Sequence, residues 1–241
     1  MKTHIPLLLT LGSAAAMAAE QLPETVISAS RTEELLKDSP YSVAVIGSDE
    51  LLENAIRTLP EALRDTPGVM IQKTTHGHGS PFVRGFTGRQ NLLLVDGVRI
   101  NNSTFRSGPV QYWNTVDSYA IDRLELVKGQ GSVLFGSDAI GGTLNTLTRS
   151  SDFRSHDAGW FNENAAFYRF DTNSRSHVGR LETAFGQGGK WGILFGVTNK
   201  NFGDIRDSAV GRMKNTGYDE LDLDFRLDVA VSDSTTMTLA H

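Results

Sequence analysis

The sequence predicts an α+β globular domain followed by antiparallel β-strands of an incomplete transmembrane β-barrel. Three observations predict this. The chain opens on an export signal; residues 40–149 alternate short strands with helical turns; and residues 150–241 change to long segments of period-two alternation.

Lys2 and His4 give a weakly positive start, Ile5 to Leu11 an apolar stretch, and Ala16-Met17-Ala18 the small residues of a cleavage site. Residues 1–18 therefore read as a signal peptide, since a membrane anchor needs about 20 apolar residues. No later stretch reads as a transmembrane helix, so a membrane location requires strands. Apolar residues make up 39% and charged residues 21%, an ordinary balance for a folding chain. The net charge of −5 is spread along the sequence without a basic stripe, which excludes a nucleic-acid partner. With no cysteine, disulfides and thiolate metal sites are excluded, and no cofactor is expected.

Residues 19–39 form an extended linker containing a β-branched patch, Glu24-Thr25-Val26-Ile27-Ser28-Ala29, suited to pairing with a sheet edge. Residues 40–149 read as the globular domain. Tyr41 to Ile46 reads as a strand, and Ser48 as the cap of a helix over Asp49 to Ala55. Thr58 and Glu61 have capping-box spacing, for a helix from Pro60 to Asp65 closed by Pro67-Gly68. Strands follow at Val69 to Gln72, Pro81 to Arg84 and Asn91 to Val95, and Asp96-Gly97 predicts a hairpin into Val98 to Ile100. After a polar loop come strands at Leu124 to Lys128 and Thr143 to Thr148, with one helical turn near Ser132.

In residues 150–241, Leu221, Leu223, Phe225, Leu227, Val229 and Val231 alternate with Glu220, Asp222, Asp224, Arg226 and Asp228. This is a strand with one apolar and one wet face. Trp160 to Phe170, His177 to Gly186 and Trp191 to Val197 are similar, and Thr235 to His241 begins a fifth strand. Lengths near ten residues, tight turns at Gln187–Lys190 and Val231–Ser234, and a long loop at Phe202 to Gly217 fit an outer-membrane barrel. Five strands cannot close such a barrel, so a fragment is expected that by itself transports nothing.

Several stretches in order resemble the plug domain of TonB-dependent outer-membrane receptors. Glu24 to Ala29 looks like that family's TonB box, followed by Ser30-Arg31-Thr32-Glu33. Pro40 to Ile46, Thr58 to Val69, Arg84-Gly85-Phe86, Leu92 to Val98, Ile121 to Gly129, Ser132 to Gly136 and Ala139 to Asn145 continue the likeness across the plug. The resemblance implies an outer-membrane receptor that imports a scarce nutrient, such as a ferric siderophore, haem or cobalamin. Its energy would come from TonB, paired to the box as an added strand. It also implies substrate contact by two outward loops. Lys73 to Ser80 carries His76 and His78; Asn101 to Trp113 carries Phe105, Arg106, Gln111, Tyr112 and Trp113. Arg106 would attract an anionic chelate and the aromatics would stack on a planar ligand; equally, these loops would only pack beneath the outer loops of the barrel. His76-Gly77-His78 alone lacks the supporting ligands of a metal site. Gly85, Gly97, Gly129, Gly136, Gly141 and Gly142 are read as structural, at turns or close backbone contacts, with Asp96 in its hairpin. Arg84, Arg123 and Glu125 are expected to hold the plug in place. The box begins too soon after the cleavage site to leave room for a folded signalling domain.

Two other classes compete. The segment Lys128 to Gly136 resembles a phosphate loop, but Leu134 stands where a dinucleotide fingerprint needs glycine, and no Gly-Lys-Ser/Thr end follows. Ser132 lies outside a Gly-x-Ser-x-Gly elbow, so the chain is not expected to be an enzyme. A stand-alone soluble periplasmic binding module would not need the alternating strands after Trp160.

Overall fold

The computed structural model describes residues 25–28, 32, 34–102, 108–109 and 112–241. The signal peptide, residues 19–24, 29–31 and 33 of the linker (Glu24 and Ala29 among them), Phe105, Arg106 and Gln111 lie outside the described residues.

Thr25–Val26 (β1) pairs antiparallel with Glu34–Leu35 (β2). Ser42–Gly47 (β3) leads into Ser48–Glu53 (α1). Next come Val69–Thr75 (β4), His78–Val83 (β5), Asn91–Val95 (β6) and Val98–Arg99 (β7). Ile121–Lys128 (β8), Ser132–Phe135 (α2) and Gly142–Thr148 (β9) complete the globule. The main sheet has the order β3-β8-β9-β6-β7, all antiparallel except β6 with β9. Ile46, Leu51, Leu59, Leu63, Leu93, Leu124, Leu126 and Leu144 are buried together against it. Each such side chain removed from water contributes roughly 1.5–3 kcal/mol.

The sequence reading needs correcting at three places here. Ser48 is the first residue of α1 and Gly47 the cap, with no side-chain cap bond. Pro60 lies in a 3-10 helix, Leu59–Leu63, instead of an α-helix. Thr58 Oγ1 donates to Glu61 Oε1 at 3.4 Å and Glu61 Oε2 takes the Arg57 N–H at 3.3 Å, so the reciprocal capping box is not closed. Lys73 to Ser80 is a hairpin rather than a loop, because β4 and β5 pair from Val69↔Val83 up to Thr75↔His78.

Gly141 and Gly142 carry the backbone past β5 and β6 where no side chain fits. A Cβ on Gly141 would lie 2.6 Å from Phe86 Cβ and 2.9 Å from the Val83 carbonyl oxygen.

The second region is one open antiparallel sheet. Trp160–Asp171 (β10), Ser176–Gln187 (β11), Trp191–Phe202 (β12), Tyr218–Ser232 (β15) and Thr235–Ala240 (β16) pair in chain order. Between β12 and β15 the long loop folds as a small hairpin of Arg206–Asp207 (β13) and Gly211–Arg212 (β14). β10, β11 and β12 each run 12 residues and β15 runs 15, enough for tilted membrane strands. The odd-numbered residues of β11, β12, β15 and β16 and the even-numbered residues of β10 face away from the globule: Leu181, Phe195, Leu221, Leu223, Leu239, Trp160 and Tyr168 are all exposed. The alternate face carries Arg180, Thr198, Lys200 and Asp228, all buried. The face read from sequence as wet is thus packed on the globule, and the apolar face looks outward. Among the described residues no helix is long and apolar enough to cross a membrane.

Candidate functional site

On β8, Leu124 and Leu126 enter the main core, which leaves Glu125 and Val127 on the opposite sheet face. That face is covered by the β-branched patch. Val26 is fully buried with Val127, Leu36 and Val43. The Ile27 N–H donates to Glu125 Oε2 at 3.1 Å and the Ser28 N–H donates to the same oxygen at 2.8 Å. Arg123 Nε donates to Glu125 Oε1 at 3.0 Å. Glu125 has no exposed surface, so these charge-assisted donors replace its lost water. Arg123 and Glu125 therefore hold the patch rather than tie the globule to the strands. Arg84 has φ +53 and stands beside Gly129.

At the other end lies a cleft of about 1020 Å³ between the β4–β5 hairpin and the strands, lined by His76, His78, Tyr112, Met213, Tyr218 and Glu220 among others. Asp204 shapes its outer wall: the Gly217 and Thr216 N–H groups and Arg212 hold its carboxyl below the usual range. His76, at the hairpin tip, is 3% exposed and has Phe202 and Tyr218 as ring neighbours at 6.3 and 6.2 Å. Neither of its ring nitrogens has a hydrogen-bond partner. Burial, with the Arg57 and Lys73 charges nearby, pushes its imidazole down to about 4. It is a neutral, packed side chain under ordinary conditions.

Trp113 was expected to contact substrate, but it is fully buried in the main core. Its Nε1–H donates to Thr146 Oγ1 at 3.0 Å, a partner a buried indole needs. Tyr112 and His78 do line the cleft. Among the described residues there is no group of three or more histidine or carboxylate side chains placed to hold a metal.

The seam between globule and strands joins an apolar cluster of Tyr119, Val178 and Phe202 to a set of polar contacts. Asp117 accepts from Lys200 Nζ at 2.8 Å and from Thr198 Oγ1 at 2.6 Å. Arg57–Asp171 at 3.1 Å, Arg149–Glu182 at 3.3 Å and Arg226–Asp96 at 3.5 Å also cross it. The Asp96 carboxylate accepts the Thr148 N–H at 2.9 Å as well, which ties its hairpin to the end of β9. No sequence motif marked Asp117; the only hint was the run of charges on the facing strands.

Residues 35–143 match the family described as TonB-dependent Receptor Plug Domain. The chain is 34% identical over 200 residues to the Vitamin B12 transporter BtuB of Vibrio vulnificus, covering 82% of this chain and 31% of that protein. It is 35% identical over 157 residues to the Iron-regulated outer membrane virulence protein of Vibrio cholerae, covering 60% of this chain and 24% of that protein. In fold it is similar to the Copper transporter OprC, with a TM-score of 0.66 at 20% identity over 82% of this chain and 29% of that one. The chain thus spans between about a fifth and a third of the length of the relatives it matches.

Proposed function

Because this chain belongs to the TonB-dependent outer-membrane receptors, we propose that it serves the active uptake of a scarce nutrient of the ferric siderophore, haem or cobalamin class. The relatives named for vitamin B12 and for iron support that class without choosing within it. TonB is the proposed energy-coupling partner.

The observation that carries the reading is the state of Thr25 to Ser28. This segment already lies as a strand against β2, and its next two N–H groups are held by one buried carboxylate. A segment that makes main-chain strand bonds in one place has the backbone conformation to make them with an added partner strand. It lies on the globule beside Arg123 and Asp122, away from the cleft where a nutrient would enter. Residues His78 and Tyr112 are the proposed first contacts in that cleft. The outward Leu221 and Leu223 side chains disfavour the rival, a water-soluble binding module, since a soluble sheet would bury them.

The test is a proline in the box. Ile27→Pro removes an N–H and fixes φ, so the segment can no longer serve as a partner strand. The expected outcome is loss of nutrient uptake with nutrient binding intact. Glu125→Gln loosens the segment from the globule without altering its backbone, and it should still transport. Undiminished uptake by Ile27→Pro would refute the coupling role.

A further inference from the structure

The segment that joins the globule to the wall is fastened to two of the wall's turns. We propose that Arg154 is the positioning residue that sets the register of the β15–β16 hairpin, so that residues 150–159 act as a template on which the wall is assembled. The proposal concerns how the wall is built and does not depend on which nutrient is carried.

The alternation of β15 and β16 leaves their register open. A slip of one residue would turn Leu239 from the outward face to the globule, but a slip of two keeps every side chain on its own face. A hairpin normally removes that freedom through its turn. This turn is poorly suited to do so. No residue from Ser232 to Thr235 has a positive φ, so the loop is not of the type I′ or II′ kind that matches strand twist. The run Ser232-Asp233-Ser234-Thr235-Thr236 offers turn-forming side chains at several positions and no glycine to single one out. The β11–β12 turn differs, since Gly189 supplies a φ of +72.

Arg154 supplies the missing constraint. Its Nη2 donates to the Ser232 carbonyl at 2.9 Å and the Thr235 carbonyl at 3.1 Å. Its Nη1 donates to the Asp233 carbonyl at 3.1 Å, and its Nε to Thr236 Oγ1 at 3.1 Å. Four of the five N–H groups of one rigid plane thus match one turn in one position. Arg154 is exposed, so any one of these bonds trades almost evenly with water; their convergence is what distinguishes a single register.

The guanidinium is a fixed point because the segment beneath it is fixed. The Phe153 carbonyl accepts the Gly189 N–H at 2.8 Å, and the Gly159 carbonyl accepts the Gly188 N–H at 2.8 Å. Ser151 and Phe153 are buried over Gly192, where a Cβ would lie 2.1 Å from Ser151 Oγ. A Cβ on Gly188 would lie 2.0 Å from the Asp157 carbonyl oxygen. Thr236 follows Arg154 by 82 residues, much further along the chain than Gly188 and Gly189. The nearer contacts close the shorter loops at lower entropic cost, so the segment is seated before β16 arrives.

The sequence has no cysteine, so paired substitutions can report the register in the membrane-inserted receptor. Leu227→Cys with Leu239→Cys reports the register described above. Leu227→Cys with Met237→Cys, and Val229→Cys with Leu239→Cys, report slips of two in either direction. Each pair is oxidised with copper phenanthroline in isolated outer membranes, and the disulfide is mapped by mass spectrometry. With Arg154 present, only the 227–239 pair should cross-link. In Arg154→Ala a slipped pair should rise several-fold while the 227–239 yield falls. Cross-linking at 227–239 alone in Arg154→Ala overturns the proposal, even if less receptor is inserted, because a merely stabilising contact would lower the amount without creating a slipped pair. Should Arg154→Ala not reach the membrane, Arg154→Lys decides. Its single ammonium cannot span Ser232 to Thr236, so slipped product is expected, and 227–239 cross-linking alone overturns the proposal.

Discussion

The globule and the strand wall solve opposite problems with one chain. In the globule Leu124, Leu126 and Leu144 point inward and charge sits outside, apart from the paired Glu125 and Asp117. In the wall Leu221, Leu223 and Leu239 point outward, whereas Arg180, Lys200 and Asp228 are buried. The difference lies in the solvent each face meets. Water selects the first pattern. Lipid on one side and a polar globule on the other select the second. Alternation alone says that a strand has two faces; only the partner on each side says which face is the inside.

The comparison breaks most readily at Lys200. Lys200→Met leaves Asp117, Glu220 and Asp222 crowded without their shared cation and should cost about 3–5 kcal/mol, read by urea unfolding in detergent micelles. An apolar replacement of similar length is benign in the core of the globule, so a negligible loss here would mean that the wall's inner face tolerates ordinary packing. Leu223→Arg, on an exposed position, should cost roughly 2–4 kcal/mol near the bilayer midplane. The same change on a water-facing strand falls within about 0.5 kcal/mol, so reconstitution into vesicles against micelle refolding discriminates the two environments.

Inside the globule, Gly141→Ala should cost about 1–3 kcal/mol, because the new methyl group meets Phe86 and the Val83 carbonyl. A thermal midpoint equal to wild type would show that this backbone has slack. The smallest expected effect is a pH response at the seam's outer end. His76 has a depressed pKa in the tucked hairpin, about 4 against an ordinary 6.5, with Arg57, Lys73, Glu61, Asp171 and Tyr218 facing it. The tucked state is therefore fully favoured above 6.5 and loses that contribution as pH falls from 6.5 towards 4, by at most about 1–3 kcal/mol. The amide protection factors at Thr75 to His78, corrected for the intrinsic pH dependence of exchange, should fall over that window in wild type and stay flat in His76→Phe.

Much of the architecture was legible because its signals are local. Asn91 to Val95 is a strand at the bounds read from its apolar run and the Asp96-Gly97 turn after it. β15 was legible from its alternating leucines and acids, although it begins two residues earlier, at Tyr218. The β4–β5 tip was not, because Lys73 to Ser80 contains no aliphatic or large aromatic residue. There is no period to read, and its strands exist through pairing with each other. Trp113 was misassigned for a related reason: an aromatic in a polar loop looks like a ligand platform until the core that it closes is known. Asp117 carried no local signal at all. Its role is set by Thr198 and Lys200, some 80 residues away. The inward charges of β11, β12 and β15 did imply that something polar must meet them.

The wall's inverted facing can be tested most directly with single cysteines carrying spin labels at positions 221 to 225, in receptor reconstituted into bilayers. Collision with oxygen, which concentrates in lipid, should be high at 221, 223 and 225 and low at 222 and 224. Collision with a water-soluble nickel chelate should stay low throughout. Oxygen collision without period two, or high nickel access at 221 and 223, would mean that these leucines face water and that the wall does not lie in a membrane.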